Sequence, residues 1–443
     1  MSAHYAHYSH PAHPAHPAAR VACFFILILT AVSGLRAQDI YINEGETERQ
    51  PSNILLPYGF GSETLDVAFG LLGISSATIQ PQATIGAAVM GSTNGSYGIY
   101  MIGHELRAPF SDRLYVSPFL SAAKYKKLRS YTNGNPQFLG RERAGSSESS
   151  EDNYLEGEAW EIVAELPFRW VLPLGHGYDN PLKTITMQEG LPLSDPTGGT
   201  SRWDPWKSGR TSLGLKPFYR SREYKEDPGI LQTHSNGLEF GLLWDNRDFR
   251  PSPTRGGTLE LSLTRDFGWF DSDDSWTTWE ANFTQNFSFG ESDWARQRVL
   301  AFHFMTADTP TWDENGHGID HRAPDFLSPR LGGWSNMRSY PHQRYNDRSA
   351  IYYGLEYRYM PRWNPLGNVR WLDDWLDIDW WQFVGFAEAG NVAPSFNLGD
   401  LHSDMKFDAG IGLRIMMAKS VVRLDWAMGE EGTGFWFMIG QTF

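Results

Sequence analysis

Two neighbouring stretches decide the fold: "FDAGIGLRI" (407–415) and "VVRLDWAM" (421–428). In the first, Phe407, Ala409, Ile411, Leu413 and Ile415 alternate with Asp408, Gly410, Gly412 and Arg414. In the second, Val422, Leu424, Trp426 and Met428 oppose Arg423 and Asp425. A side-chain period of two is that of a β-strand with two unlike faces. Each run is about ten residues long and carries charge on its polar face, the length and pattern of a membrane-crossing strand. A soluble sandwich would turn its apolar face inward and has little use for so many strands of that length. A transmembrane barrel inverts the pattern, with apolar side chains out to lipid and polar ones in to water. Closure also satisfies every backbone group, as the bilayer demands.

The alternation recurs along the chain, as in 237–245, 279–289 and 350–360. Eleven strands are expected between residues 155 and 443. Four more are expected at 62–73, 81–91, 97–108 and 113–127, with a weaker one near 40–57. Single-chain bacterial barrels have an even number of strands. The fold class expected is therefore all-β, a transmembrane antiparallel β-barrel of about 16 strands. Trp244, Phe289 and Trp426 suit the aromatic girdles at the membrane interfaces. The last stretch, "TGFWFMIGQTF", places Phe435, Phe437 and Ile439 in phase with Phe443. Three segments read as long loops: 132–153, polar and mobile; 173–210, an inserted flap; and 306–349, the largest.

The chain has 443 residues and a formal net charge of −14. "VACFFILILTAVSGL" (21–35), followed by "LRA", reads as a secretory signal peptide covering 1–37. Residues 38–60 then form a short lead-in and 61–443 the barrel. The His-rich leader and Cys23, the sole cysteine, fall in the segment expected to be removed. An acidic exported chain argues against nucleic-acid partners. No Gly-x-Ser-x-Gly elbow or His-Glu-x-x-His helix is present, and His104-Glu105 lacks a second histidine. No enzyme activity, cofactor or metal is expected.

Parity places Glu356 and Arg358 on the inward face of one strand and Glu388 on that of the next. A cation folding inward on the 306–349 loop could bridge the two glutamates. Arg338 is the best candidate, because a planar guanidinium pairs with carboxylates at two points.

Here "RLGGWSNMRSYPHQRYNDRSAIYYGLEYRY" resembles the sixth-loop region of the BamA/TamA-type barrels, the bacterial surface antigen family. Met337-Arg338-Ser339-Tyr340 takes the place of that family's Val/Ile-Arg-Gly-Phe/Tyr tip, after Gly332 and Gly333. "GFAEAGNV" (385–392) resembles its Phe-x-Asp-x-Gly strand, with Phe386, Glu388 and Gly390 at the motif positions. "DNRDFRPSPTRGGTLELSL" (245–263) resembles its periplasmic turn through Asp245, Arg247, Asp248 and Gly256. The resemblance implies that the long loop before strand 12 folds into the lumen. There Arg338, beside Tyr340, would be tethered by Glu388 and Glu356. Ser339 replaces a glycine, which makes a positive φ there less comfortable, and Glu388 is one methylene longer than aspartate.

The same resemblance implies an outer-membrane protein of a Gram-negative bacterium that assists insertion or translocation of proteins. Its partners would be outer-membrane lipid, the barrel-assembly machinery that reads Phe443 as a sorting signal, and client outer-membrane or surface proteins. Family members with that activity carry periplasmic POTRA repeats, for which 38–60 is too short. The chain thus resembles a barrel-only branch. The alternative is a structural protein or a passive, cation-preferring pore. Inward acids (Glu239, Asp245, Glu260, Glu280, Glu356, Glu388, Asp408, Asp425) outnumber the inward bases Arg358, Arg414 and Arg423.

Overall fold

The structure is a computed structural model that describes residues 39–62, 64–131, 135–138, 142–193, 203–225, 234–315, 318–364, 378–417 and 420–443. The leader, with its His tract, Cys23 and the expected cleavage site, lies outside them.

The wall is built from sixteen strands. They are β1 (Ser52–Ser62), β2 (Asp66–Ser76), β3 (Thr84–Ser92), β4 (Tyr97–His104), β5 (Phe119–Ser130) and β6 (Leu155–Glu165). There follow β7 (Arg210–Tyr224), β8 (His234–Asp245), β9 (Gly256–Phe267), β10 (Ser275–Ser288) and β11 (Ala295–Asp308). The last five are β12 (Ser349–Pro361), β13 (Ile378–Ala393), β14 (Lys406–Met417), β15 (Ser420–Gly429) and β16 (Gly432–Ile439). Each is laddered antiparallel to the next, so β1 runs to β16 without a crossover. The wall begins at Ser52, ahead of the expected residue 61. The weak strand near 40–57 resolves into two, of which only β1 belongs to the wall. Among the described residues no backbone ladder joins β16 to β1. Leu56 of β1 packs instead in a cluster with Met417, Val422 and Phe437 of β16. No helix among the described residues is long and apolar enough to cross a membrane, which says nothing of crossing by strands.

The outer face is apolar, as the alternation requires: Phe69, Leu71, Val89, Ile99, Phe240, Leu261, Leu355, Ile411 and Trp426 are exposed. The interior differs between its two halves. Behind β1–β6 it is filled by Tyr58, Leu72, Met90, Tyr100, Phe119 and Tyr125, an apolar core rather than a wet lumen. Behind β12–β16 it holds a buried charge network. Paired charges such as Glu161 with Arg222 also line the interior at β6 and β7, so the apolar filling is confined to the first strands.

The connections at one end are long (131–154, 309–348, 394–405), and this is called the loop end. The other, the turn end, receives the chain's entry and the 166–209 connection. Its described part, within the segment expected as an inserted flap, folds against the mouth. Its strand Lys183–Gln188 pairs in parallel with Asp39–Asn43 and antiparallel with Leu191–Pro192. Ile185 and Met187 pack into the barrel mouth against Phe249, Met360, Trp380 and Met416. Tyr41 meets Phe249 edge-on at 5.6 Å. The turn end is thus stoppered by a three-stranded sheet made of the chain's own entry strand and the insertion.

Candidate functional site

Arg338 stands on the long loop, is fully buried, and points into the charged half of the lumen. Its Nη1 donates to Glu356 Oε1 at 2.9 Å and to Asp425 Oδ2 at 3.0 Å. Its Nε lies 3.2 Å from Glu388 Oε1, and its backbone N–H donates to Glu388 Oε2 at 2.8 Å. The guanidinium lies over the Phe386 ring, 3.4 Å from the centroid. One cation therefore meets carboxylates from β12, β13 and β15 while stacking on an aromatic face. A buried guanidinium without such partners would be strongly disfavoured, so the loop is held by the wall rather than merely resting in it.

The loop's path explains its small residues. Gly332 and Gly333 have φ of +106° and +116°, where a side chain is strained. A Cβ on Gly332 would lie 2.3 Å from the Pro341 carbonyl oxygen. Gly390 on β13 makes room from the other side: a Cβ there would fall 2.8 Å from Leu331 and 3.3 Å from the Met337 sulfur. Ser339, expected to carry the strain of a missing glycine, is not in the left-handed region. The positive φ falls on Met337, at 49°. Ser339 N–H instead donates to Asp408 Oδ2 at 2.7 Å. Tyr340 O–H donates to the Phe407 carbonyl at 3.2 Å and its ring meets Tyr345.

The structure brings Arg338, Glu356, Glu388, Phe386 and Gly390, all singled out by the sequence, together around the loop tip. Sequence reading missed Asp425 and Asp408 as partners of the loop, although parity had put both on the inward face. The signal was register: Asp408 lies directly across from Glu388. It also missed Tyr352, whose hydroxyl donates to Glu388 Oε1 at 2.5 Å, and Trp436, whose indole donates to the Arg338 carbonyl at 2.7 Å.

Phe443 is not in phase on the outer face. β16 ends at Ile439, Gly440 takes a φ of +91°, and the following residues turn inward. Phe443 lies against His303 and under the Arg358 guanidinium, and Thr442 Oγ1 receives Arg423 Nη1 at 2.6 Å.

At the loop end a second latch holds the same loop. Arg344 grips Glu431 with two bonds of 2.7 Å and donates to Ser149 Oγ at 2.9 Å. Asn346 N–H donates to the Gly145 carbonyl at 2.8 Å, and Arg143 pairs with Asp347. The described part of 132–153 is thus folded down onto the long loop, where a mobile segment was expected.

Asp245, Arg247, Asp248 and Gly256 do not join this site. They build the turn that supports the stopper at the opposite end. Arg247 forks onto Asp245, with Nη2 to Oδ2 at 2.6 Å. Asp248 Oδ1 accepts the Phe249 and Thr254 amides, and Lys183 of the insertion donates to the Asp248 carbonyl. Gly256, with φ of +78°, has no room for a Cβ beside the Asn246 carbonyl oxygen.

The expected excess of inward acid is offset by pairing. Glu239 meets Lys216 at 2.6 Å, Glu356 meets Arg358 at 2.8 Å, and Asp425 meets Arg414 at 2.5 Å. Arg169, Arg220 and Arg222 add inward positive charge that the strand parities had not counted. Among the described residues no group of three or more His, Cys, Asp or Glu could hold a metal ion.

The model of the Omp85 superfamily domain matches residues 219–443, half of the chain. The chain belongs to the Omp85 superfamily. Its fold is similar to that of CdiB from Escherichia coli, with a TM-score of 0.50 and 10% identity over 87% of this chain and 59% of that one. CdiB from Acinetobacter baumannii gives 0.48 and 10%, over 89% and 60%. BamA from Haemophilus ducreyi lacking POTRA domains 1–3 gives 0.47 and 12%, over 88% and 69%. The chain thus spans about six tenths of the length of each CdiB. No curated protein matches the sequence. Omp85 members are β-barrels of the outer membrane, and the all-β architecture here conforms to that.

Proposed function

We propose that this Omp85 barrel lies in the outer membrane of a Gram-negative bacterium and assists the insertion or translocation of proteins there. The observation that carries the reading is Arg338. The long loop is anchored in the lumen through a buried cation shared by Glu356, Glu388 and Asp425. Such a loop braces the wall beside its seam: the Trp436 indole of β16 donates to the Arg338 carbonyl at 2.7 Å, and no ladder joins β16 to β1 among the described residues. A braced wall beside an unladdered seam suits a protein that works on other polypeptides at its edge. It does not suit a passive pore: one half of the interior is a packed apolar core, the inward charges are paired, and the turn end is stoppered.

On this reading the leader is removed after Ala37, the barrel is itself delivered by the assembly machinery, and its clients are outer-membrane or surface proteins. The test is a quantitative outer-membrane proteome with and without the gene. The reading expects a defined set of barrel or surface proteins to fall. An unchanged proteome overturns it.

A further inference from the structure

The 166–209 insertion does more than stopper the mouth. After the sheet it reappears on the outside of the wall. The Trp203 ring lies 4.6 Å from Trp244 and 4.7 Å from Phe283, centroid to centroid. Its indole N–H donates to Gln285 Oε1 at 3.0 Å, and the Ser208 carbonyl accepts the Trp244 indole N–H at 2.9 Å. Trp244, Leu259 and Phe283 form one cross-strand row on the outward faces of β8, β9 and β10. Trp203 therefore sits where lipid would otherwise touch the wall. It shields the outward side chain of Gln285, whose Nε2 donates to the Asn286 carbonyl at 3.1 Å and whose Oε1 hydrocarbon could not satisfy.

This changes the girdle. Trp244, expected at the membrane interface, is only 3% exposed. Around the same end Trp170, Phe289, Trp294 and Trp363 remain exposed. The β8–β9 sector would be a gap in that ring, were it not for Trp206, which is 72% exposed. Asp204 fixes the turn, accepting the Trp206 amide at 3.2 Å and, through its carbonyl, the Ser208 amide at 2.9 Å. Lys207 stands beside Trp206 with its side chain 77% exposed, 3.5 Å from Asp204. An indole with an adjacent, water-reaching lysine is the side-chain pair that favours a lipid headgroup layer.

We propose that the Trp203–Lys207 turn is a membrane clamp. Trp203 grips the outer wall, and Trp206 with Lys207 enters the phospholipid headgroup layer at the turn end, replacing the girdle residue that Trp203 covers. The stopper is thereby tied to the bilayer at one end and to the barrel mouth at the other. The inference rests on the reading of the wall as membrane-embedded, and its test separates the two.

In full-length protein carrying Cys23→Ser, nitroxide labels are placed singly at Trp206→Cys, Lys207→Cys, Trp294→Cys and Asp112→Cys. The protein is reconstituted in phosphatidylethanolamine–phosphatidylglycerol vesicles, and folding is checked by heat-modifiable gel mobility. Collision with oxygen and with a water-soluble nickel chelate is then measured by electron paramagnetic resonance. The clamp expects the 206 label to match the 294 girdle label, with nickel access several-fold below that of the 112 label, and the 207 label to fall between. A 206 label as nickel-accessible as 112, beside a lipid-shielded 294 label, overturns the clamp alone. A 206 label shielded from both relaxants means a protein cover and also overturns it. Nickel access at 294 as well overturns the membrane placement itself.

Discussion

Glu388 holds Arg338 twice: one carboxylate oxygen accepts the arginine's backbone N–H at 2.8 Å and the other lies 3.2 Å from its Nε. The second contact fixes the side chain and the first fixes the loop backbone. Arg338→Ala removes the cation from three carboxylates that stay buried. Loss of one partner of a buried pair costs roughly 3–5 kcal/mol. The variant barrel is expected to unfold at a lower temperature in heat-modifiability assays and to be cut within 309–348 by added protease.

Glu388→Gln keeps an acceptor for the backbone N–H but removes one charge. Arg338 retains Glu356 and Asp425. The expected loss is smaller than for Arg338→Ala, about 1.5–3 kcal/mol, the range for hydrogen bonds to charged groups. Chemical unfolding of the two variants side by side checks the order.

Gly390→Val acts through volume alone. Its Cβ would fall 2.8 Å from Leu331 and 3.3 Å from the Met337 sulfur. Overpacking of this kind costs about 1–3 kcal/mol. The expected sign is a loop pushed from its seat with the Arg338 partners intact. Protease cutting within 309–348 should therefore rise more than the unfolding temperature falls.

The stopper is expected to loosen as pH rises. Asp39 lies among Lys183, Arg210 and Asp245, and burial pushes its carboxyl up to about 6 against the pull of Lys183. A carboxyl raised on folding favours the docked strand when protonated. That contribution is complete below the ordinary carboxylate pKa and is lost as pH rises through about 6. Hydrogen exchange at residues 40–43, corrected for intrinsic rate, should show less protection at neutral pH than in mild acid, and Asp39→Asn should flatten the difference.

Much of this was legible in the chain. The strands are long and alternate strictly, so the inward set Glu356, Arg358, Glu388, Asp408, Arg414 and Asp425 follows from alternation, while the sixteenth strand came from the even-number rule. What parity cannot see is contact across distance. Trp244 reads as a girdle residue until Trp203 covers it. Arg344 reads as a loop arginine until Glu431 and Ser149 close on it. The apolar interior of β1–β6 was hidden for another reason. With Leu71 outside and Leu72 inside, alternation does not reveal which face is the wet one.

The central claim, a long loop seated in the lumen, is tested most directly by a cross-link at its tip. A Cβ on Gly429 of β15 would lie 3.1 Å from the Ser339 Cβ, close enough to disulfide spacing of about 3.5–4.5 Å for small shifts to accommodate the bond. In a Cys23→Ser background, Ser339→Cys with Gly429→Cys is oxidised in the membrane and the remaining thiols are counted with a maleimide. The account predicts near-complete disulfide formation in a barrel that still shows heat-modifiable mobility. Two free, maleimide-reactive thiols in a folded barrel would contradict it.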